Sequence, residues 1–196
     1  MKVIYVRDSV SRGYLRIGLS DDAEKYEYTV SKAQYEELGS PSRDEDFFEL
    51  ERIKEYDMKY RATIHALRIL SYGDNNIRTL RDKLISRSVS HAIAEEVCEE
   101  MVGLGYVDEI RQLERLIENE VVVKLSGRRK LYAKLIRKGY LKKDIDRVLE
   151  DLISREIVDF KKSGRRLIEK KLSEGATEEE KNALLYKYGY PTDYLN

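Results

Sequence analysis

The sequence predicts a mainly α-helical protein, built of tandem three-helix repeats that form an elongated, curved helical array behind a small N-terminal β-rich extension. Three observations carry this expectation. The apolar residues at the N-terminal end fall in short runs bounded by turn residues. From about Asp46 onward they switch to helical spacing. The helical part then repeats itself at an interval of 51 residues.

Residues 2–7 (KVIYVR), 14–19 (YLRIGL) and 25–30 (KYEYTV) are rich in Val, Ile and Tyr, which fit a pleated, half-buried surface. Ser-Arg-Gly and Ser-Asp-Asp turn signals separate them, so a small antiparallel sheet is expected. "SKAQYEELG" reads as a brief helix with Ser31 as N-cap and Gly39 at its stop. "SPSRDEDFF" reads as a linker, and the extension is taken as residues 1–45.

Beyond it, Leu50, Ile53, Tyr56, Tyr60, Ile64, Leu67 and Leu70 recur at helical spacing up to Gly73. Sliding the chain by 51 residues places Leu80 on Leu131, Leu84 on Leu135, Val97 on Val148, Met101 on Leu152, Val107 on Val158 and Asp108 on Asp159. Leu116, Ile117 and Val121 fall on Leu167, Ile168 and Leu172. A near-repeat at 50 places Leu185, Gly189, Tyr190 and Leu195 under Leu135, Gly139, Tyr140 and Ile145. The expected units are 46–106 with its lead-in helix, 107–157, and a truncated 158–196. Asp74 and Ser126 precede helices, Thr177 and Glu180 have capping-box spacing, and Gly105, Gly139 and Gly189 sit where helices must stop. One three-helix unit buries little apolar surface alone, so each leans on its neighbour.

With 41% apolar and 38% charged residues and no apolar run approaching a membrane span, a soluble cytoplasmic protein is expected. The single cysteine, Cys98, reads as a small buried hydrophobe. With only His65 and His91 beside it, no zinc-ligand spacing exists, and no Gly-rich phosphate loop is present. Glu95, Glu96, Glu99 and Glu100 read as an exposed acidic face opposite Ala94, Val97 and Met101. Neither metal nor cofactor is expected, and no enzyme.

Formal net charge is zero, yet residues 124–172 hold 17 Lys and Arg against 7 Asp and Glu. The flanking segments are acidic. Such asymmetry is an argument about partners, not fold. The candidate partner- or DNA-binding residues are Arg128, Arg129, Lys130, Lys134, Arg137, Lys138, Lys142 and Lys143, with a second cluster at Lys161, Lys162, Arg165 and Arg166 that extends to Lys170 and Lys171. Lys130, Lys134 and Arg137 share an outer helical stripe opposite Leu131 and Leu135. The excess is not balanced by acidic residues at i,i+4, and Tyr132 or Tyr140 is available to stack on a base.

"HALRILSYGDNNIRTLRDKLI" followed by "EEMVGLGYVDE", then "SGRRKLYAKLIRKGYLKKDI" followed by "DF", resembles the RecX family of recombination regulators. The resemblance rests on Ala66, Leu67, Arg68, Ile69, Leu70, Leu80, Lys83 and Leu84. It continues through Gly105, Tyr106, Val107 and Asp108, and through Gly127, Arg129, Lys130, Leu131, Leu135, Lys138 and Gly139, over about residues 57–190. Arg128 stands where the family has proline, and the N-terminal strands are an extension that only some members carry. The resemblance implies a regulator that binds the RecA recombinase filament on single-stranded DNA and inhibits its recombinase, ATPase and coprotease activities; a monomer is expected. Direct contact with single- or double-stranded DNA is a further candidate. The alternative is a stand-alone nucleic-acid-binding protein built of helix-turn-helix-like modules.

Overall fold

The computed structural model describes residues 1–21, 23–192 and 194, so Asp22 of the second turn signal and Leu195 of the near-repeat lie outside the described residues. The chain is mainly helical, with a three-stranded antiparallel sheet at its N-terminal end, as the sequence predicts. It divides into two compact units, residues 1–73 with 80–104, and residues 74–79 with 105–196.

In the first unit, β1 (Lys2–Asp8), β2 (Tyr14–Ser20) and β3 (Lys25–Ser31) pair in the order β1-β2-β3. A bulge between Val3 and Tyr5 shifts the β1–β2 register. Val3, Ile17, Leu19, Tyr28 and Val30 form the buried face, covered by Leu38, Phe47 and Ile53. Helix α1 (Lys32–Glu37) begins at Ser31, where Ser31 and Gln34 form a reciprocal capping box.

The expected linker is structural. The Val3 amide donates to the Glu45 carbonyl at 3.0 Å, the Asp44 amide to the Val3 carbonyl at 2.8 Å and the Phe47 amide to the Met1 carbonyl at 2.7 Å. The segment thereby satisfies the outer edge of β1, and Phe47 anchors it in the core.

Helix α2 (Leu50–Ser71) differs from its sequence expectation in which face it buries. Ile53, Asp57, Ala62, Ala66 and Ile69 are buried, while Ile64 is exposed. Asp57 is inside because its carboxylate accepts the Thr29 amide of β3 at 2.9 Å and the Arg61 guanidinium at 2.7 Å. Small residues below that point let α2 pack closely against α4 (His91–Gly103), which Ser90 caps through the Ile93 amide. Cys98 is buried there, and burial pushes its thiol pKa up. Helix α3 spans Ile77–Ile85. Its cap is Asn76, whose side-chain oxygen accepts the Thr79 amide at 2.8 Å, rather than Asp74, which pairs with Arg115.

The second unit contains α5 (Glu109–Glu118), a π-helical turn at Asn119–Val123, α6 (Arg128–Arg137), α7 (Lys142–Ser154), α8 (Phe160–Lys171) and α9 (Glu178–Tyr188). Asp108 and Asp159, matched by the 51-residue shift, make the same N-cap: each accepts the amide three residues on, at 3.0 Å. Leu131 and Leu135 of α6 are fully buried, as are Leu80 and Leu84 of α3. Each such side chain contributes roughly 1.5–3 kcal/mol. The correspondence weakens in the first helix of each repeat. Ile117 is buried while Ile168 is half-buried, and Leu167 is buried while Leu116 is half-buried. Thr177 and Glu180 form a capping box on α9. Ser126, expected to cap α6, does not: Gly127 is the N-cap residue, and the Ser126 hydroxyl is buried with no hydrogen-bond partner among the described residues.

Candidate partner-binding surface

Helix α6 follows its sequence pattern in outline. Leu131 and Leu135 point inward, and Arg128, Arg129, Lys130, Arg137 and Lys138 are exposed. Much of this positive charge is already engaged within the unit. Glu120, only 2% exposed in the π-helical turn, accepts Lys124 at 2.7 Å and also Lys134. Burial by itself raises the Glu120 pKa, but hydrogen bonds from the two ammonium groups outweigh it and hold the carboxyl below its ordinary value. Lys134 therefore anchors α6 to the preceding turn.

Other members of the cluster rest on aromatic rings. The Arg129 guanidinium lies 4.0 Å from the Tyr186 ring centroid and donates to the Tyr186 carbonyl at 2.7 Å. Lys130 sits 4.6 Å from the Tyr188 ring centroid, and Arg128 lies 5.1 Å from that of Phe160. Lys142 pairs with Asp146 at 2.7 Å, and Asp146 also accepts the Tyr132 hydroxyl at 2.5 Å. Hydrogen bonds from Lys142 and Tyr132 lower the Asp146 pKa. Lys124 and Lys142 thus do have acidic partners at i,i+4, contrary to the sequence reading.

Tyr140 is not available to stack. It is buried, its hydroxyl donates to Gln112 at 2.9 Å, and Gln112 in turn donates to the Asn75 carbonyl at 3.2 Å. Tyr132 is half-buried, with its hydroxyl engaged.

Helix α8 presents the opposite case. It buries Phe160, Ser163, Gly164 and Leu167 and leaves Lys161, Lys162, Arg165 and Arg166 exposed. None of these four makes an ion pair with another described residue. Arg137, Lys138 and Lys143 are likewise exposed without an acidic partner among the described residues. Reasoning from sequence missed Glu120 as the organiser of α6. Its spacing to Lys124 was readable, but Lys134 lies fourteen residues away and reaches it only through the fold.

On the acidic helix, Glu95 and Glu96 are exposed and pair with Arg81 and Lys59, while Ala94, Val97 and Met101 are buried. Among the described residues, no group of three or more His, Cys, Asp and Glu could hold a metal ion, and no helix is long and apolar enough to cross a membrane.

No protein-family model matches the chain. It is similar to curated proteins named "Regulatory protein RecX". One, from Listeria innocua serovar 6a, is 23% identical over 134 residues, covering 67% of this chain and 49% of that protein. Another, from Lactobacillus delbrueckii subsp. bulgaricus, is 26% identical over 130 residues, covering 64% and 45%. The chain spans about half the length of the curated relatives it matches. Among solved structures, a crystal structure of regulatory protein RecX superimposes with TM-score 0.73 at 17% identity, over 98% of this chain and 96% of that one. RecX from Lactobacillus salivarius gives TM-score 0.59 at 16% identity, over 71% and 92%. The RecX resemblance read from the sequence is borne out in both sequence and fold.

Proposed function

We propose that this RecX-like chain is a regulator that binds the RecA recombinase filament on single-stranded DNA and restrains its recombinase, ATPase and coprotease activities. The observation that carries the reading is the sequence similarity to proteins named as RecX regulators, which spans two thirds of the chain. The surface chemistry of the second unit supports it. A filament on DNA offers acidic protein and phosphate together, and Arg137, Lys138 and Lys143 are exposed cations that no described acid neutralises. We further propose that residues 46–106, 107–157 and 158–196 act as successive repeats.

The test is co-sedimentation with preformed recombinase filaments, together with the DNA-dependent ATPase rate. Retention on filaments and a lowered rate are expected. Charge reversal at Arg137, Lys138 and Lys143 weakens both without unfolding the chain. Lys134 and Arg129 are unsuitable for this purpose, because they hold Glu120 and the Tyr186 carbonyl. Tight, steeply salt-dependent DNA binding with an unaltered ATPase rate would instead favour the stand-alone nucleic-acid-binding reading.

A further inference from the structure

We infer that a cleft beside the π-helical turn, lined by Ser126 and by the cations of α6, binds the phosphate group of a small molecule. The inference goes beyond the proposed function and does not depend on it.

The site begins with an irregularity of the chain. After α5 the backbone widens into the π-helical turn at Asn119–Val123, and Leu125 then takes a left-handed φ of +58°. That path brings Ser126 back to the turn, where its amide donates to the Glu120 carbonyl at 2.9 Å. The next amide, of Gly127, donates to the Tyr188 carbonyl at 2.9 Å, so Ser126 is fixed on both sides. Lys130, Lys134 and Arg137 of α6 line the same cleft, which has a volume of about 450 Å³. Ala133, between them, puts only a methyl group into that space.

Two features point to a ligand. Ser126 is fully buried in the wall of the cleft, and its hydroxyl has no hydrogen-bond partner among the described residues. A buried polar group left unsatisfied is unfavourable, and a bound acceptor would relieve it. The second feature is charge. Lys124, Lys130, Lys134 and Arg137 line the cleft with Glu120 as its one acid, and residues 121–143 contain no Asp or Glu. Glu120 accepts one hydrogen bond from each of Lys124 and Lys134, which fixes both ammonium groups and leaves each with further N–H donors. Lys130 is steadied 4.6 Å from the Tyr188 ring centroid, and Arg137 has no acidic partner among the described residues. Cations in this excess, beside a hydroxyl, suit a ligand with more than one negative charge and with oxygens pointing in several directions. A phosphate monoester or pyrophosphate has both, whereas a carboxylate carries one charge on two coplanar oxygens.

The experiment is isothermal titration calorimetry of the full chain at constant ionic strength, with inorganic phosphate, pyrophosphate, ATP, citrate and oligothymidylate as separate titrants. Pyrophosphate is expected to bind one to one. Phosphate binding as tightly identifies the free ion as the source, and ATP binding more tightly identifies a nucleotide. Lys130→Gln with Arg137→Gln, neither of which holds Glu120, weakens pyrophosphate at least about tenfold, and Ser126→Ala does so by about tenfold, as expected for lost hydrogen bonds to a charged group. Ser126→Ala also melts at or above the parental temperature, because it removes an unsatisfied hydroxyl; a purely structural hydroxyl would lower it. The control, Arg12→Gln with Arg68→Gln, keeps the parental affinity. Absence of saturable binding by pyrophosphate overturns the inference, as does parental affinity in a folded Lys130→Gln, Arg137→Gln variant. Citrate binding as tightly as pyrophosphate also overturns it. So does displacement of pyrophosphate by oligothymidylate, which would assign these cations to a nucleic acid.

Discussion

The backbone of Gly127, at the start of α6, lies against that of Gly189, at the end of α9. The Gly127 amide donates to the Tyr188 carbonyl at 2.9 Å and the Arg129 amide to the Gly189 carbonyl at 3.0 Å. Free N–H groups opening one helix are thereby satisfied by free carbonyls closing another, and no side-chain cap is needed. A Cβ on Gly127 would lie 2.4 Å from the Gly189 carbonyl carbon, and one on Gly189 would lie 2.6 Å from the Lys130 nitrogen. Gly189 also has φ +92°, the left-handed region that favours glycine. Gly127→Ala is expected to destabilise the chain by about 1–3 kcal/mol, the usual range for forced overpacking. Gly175→Ala, with open space around it, should be close to neutral. Urea denaturation of the two variants checks this.

Glu120 links acid stability to the α6 cluster. Its pKa is lowered in the folded chain from an ordinary value of 4.5, so the stability it contributes is present above 4.5 and is lost as pH falls through the lower folded value. Glu120→Gln is expected to flatten the fall in unfolding free energy below pH 4.5. Lys134→Met, which leaves a buried carboxylate with Lys124 alone, should raise the folded pKa of Glu120 toward its ordinary value, so that the variant is less stable at neutral pH and its fall below pH 4.5 is also flattened. Denaturant titrations at about pH 6, 4.5 and 3 measure both effects.

Asp57 holds the sheet to α2. Asp57→Ala leaves the buried Thr29 amide without its acceptor, at a cost of about 1–3 kcal/mol. Amide hydrogen exchange at Thr29 should accelerate beyond that of the β1–β2 pairs.

Tyr140 has its pKa pushed up to about 12, chiefly by burial and then by nearby Glu109 and Asp74. The folded value lies above the ordinary 10, so its stabilising contribution is complete below pH 10 and is lost as pH rises through about 12. An ultraviolet phenolate titration should show Tyr140 ionising late. Tyr140→Phe should remove that late step and destabilise the chain by about 1 kcal/mol, because the Gln112 oxygen loses its donor.

The local elements were legible because their signals are local. Ser31 and Thr177 cap their helices through neighbours three residues away, whereas Asp74 and Ser126 do not, because Asp74 is drawn to Arg115 and the start of α6 is satisfied by the end of α9. Alternation in the strands and the Leu80, Leu84, Leu131 and Leu135 spacing fixed which faces turn inward. The candidate surface was legible only as an inventory of cations. Whether a lysine is engaged inside the fold or left for a partner depends on what the fold brings beside it. Composition cannot tell Lys134 from Lys161; in the folded chain Lys134 meets Glu120, whereas Lys161 meets no described acid.

The sequence by itself determined the succession of strands and helices, the 51-residue repeat and the concentration of positive charge in residues 124–172. The tertiary structure decided the rest: that Asp44–Phe47 edges the sheet, that Asp57 and Glu120 are buried acids, that Tyr140 is closed to ligands, and that α6 opens on the end of α9. The physical reason is range. Helical periodicity and capping act over three or four residues, while burial, ion pairing and backbone satisfaction are settled between residues that only folding brings together.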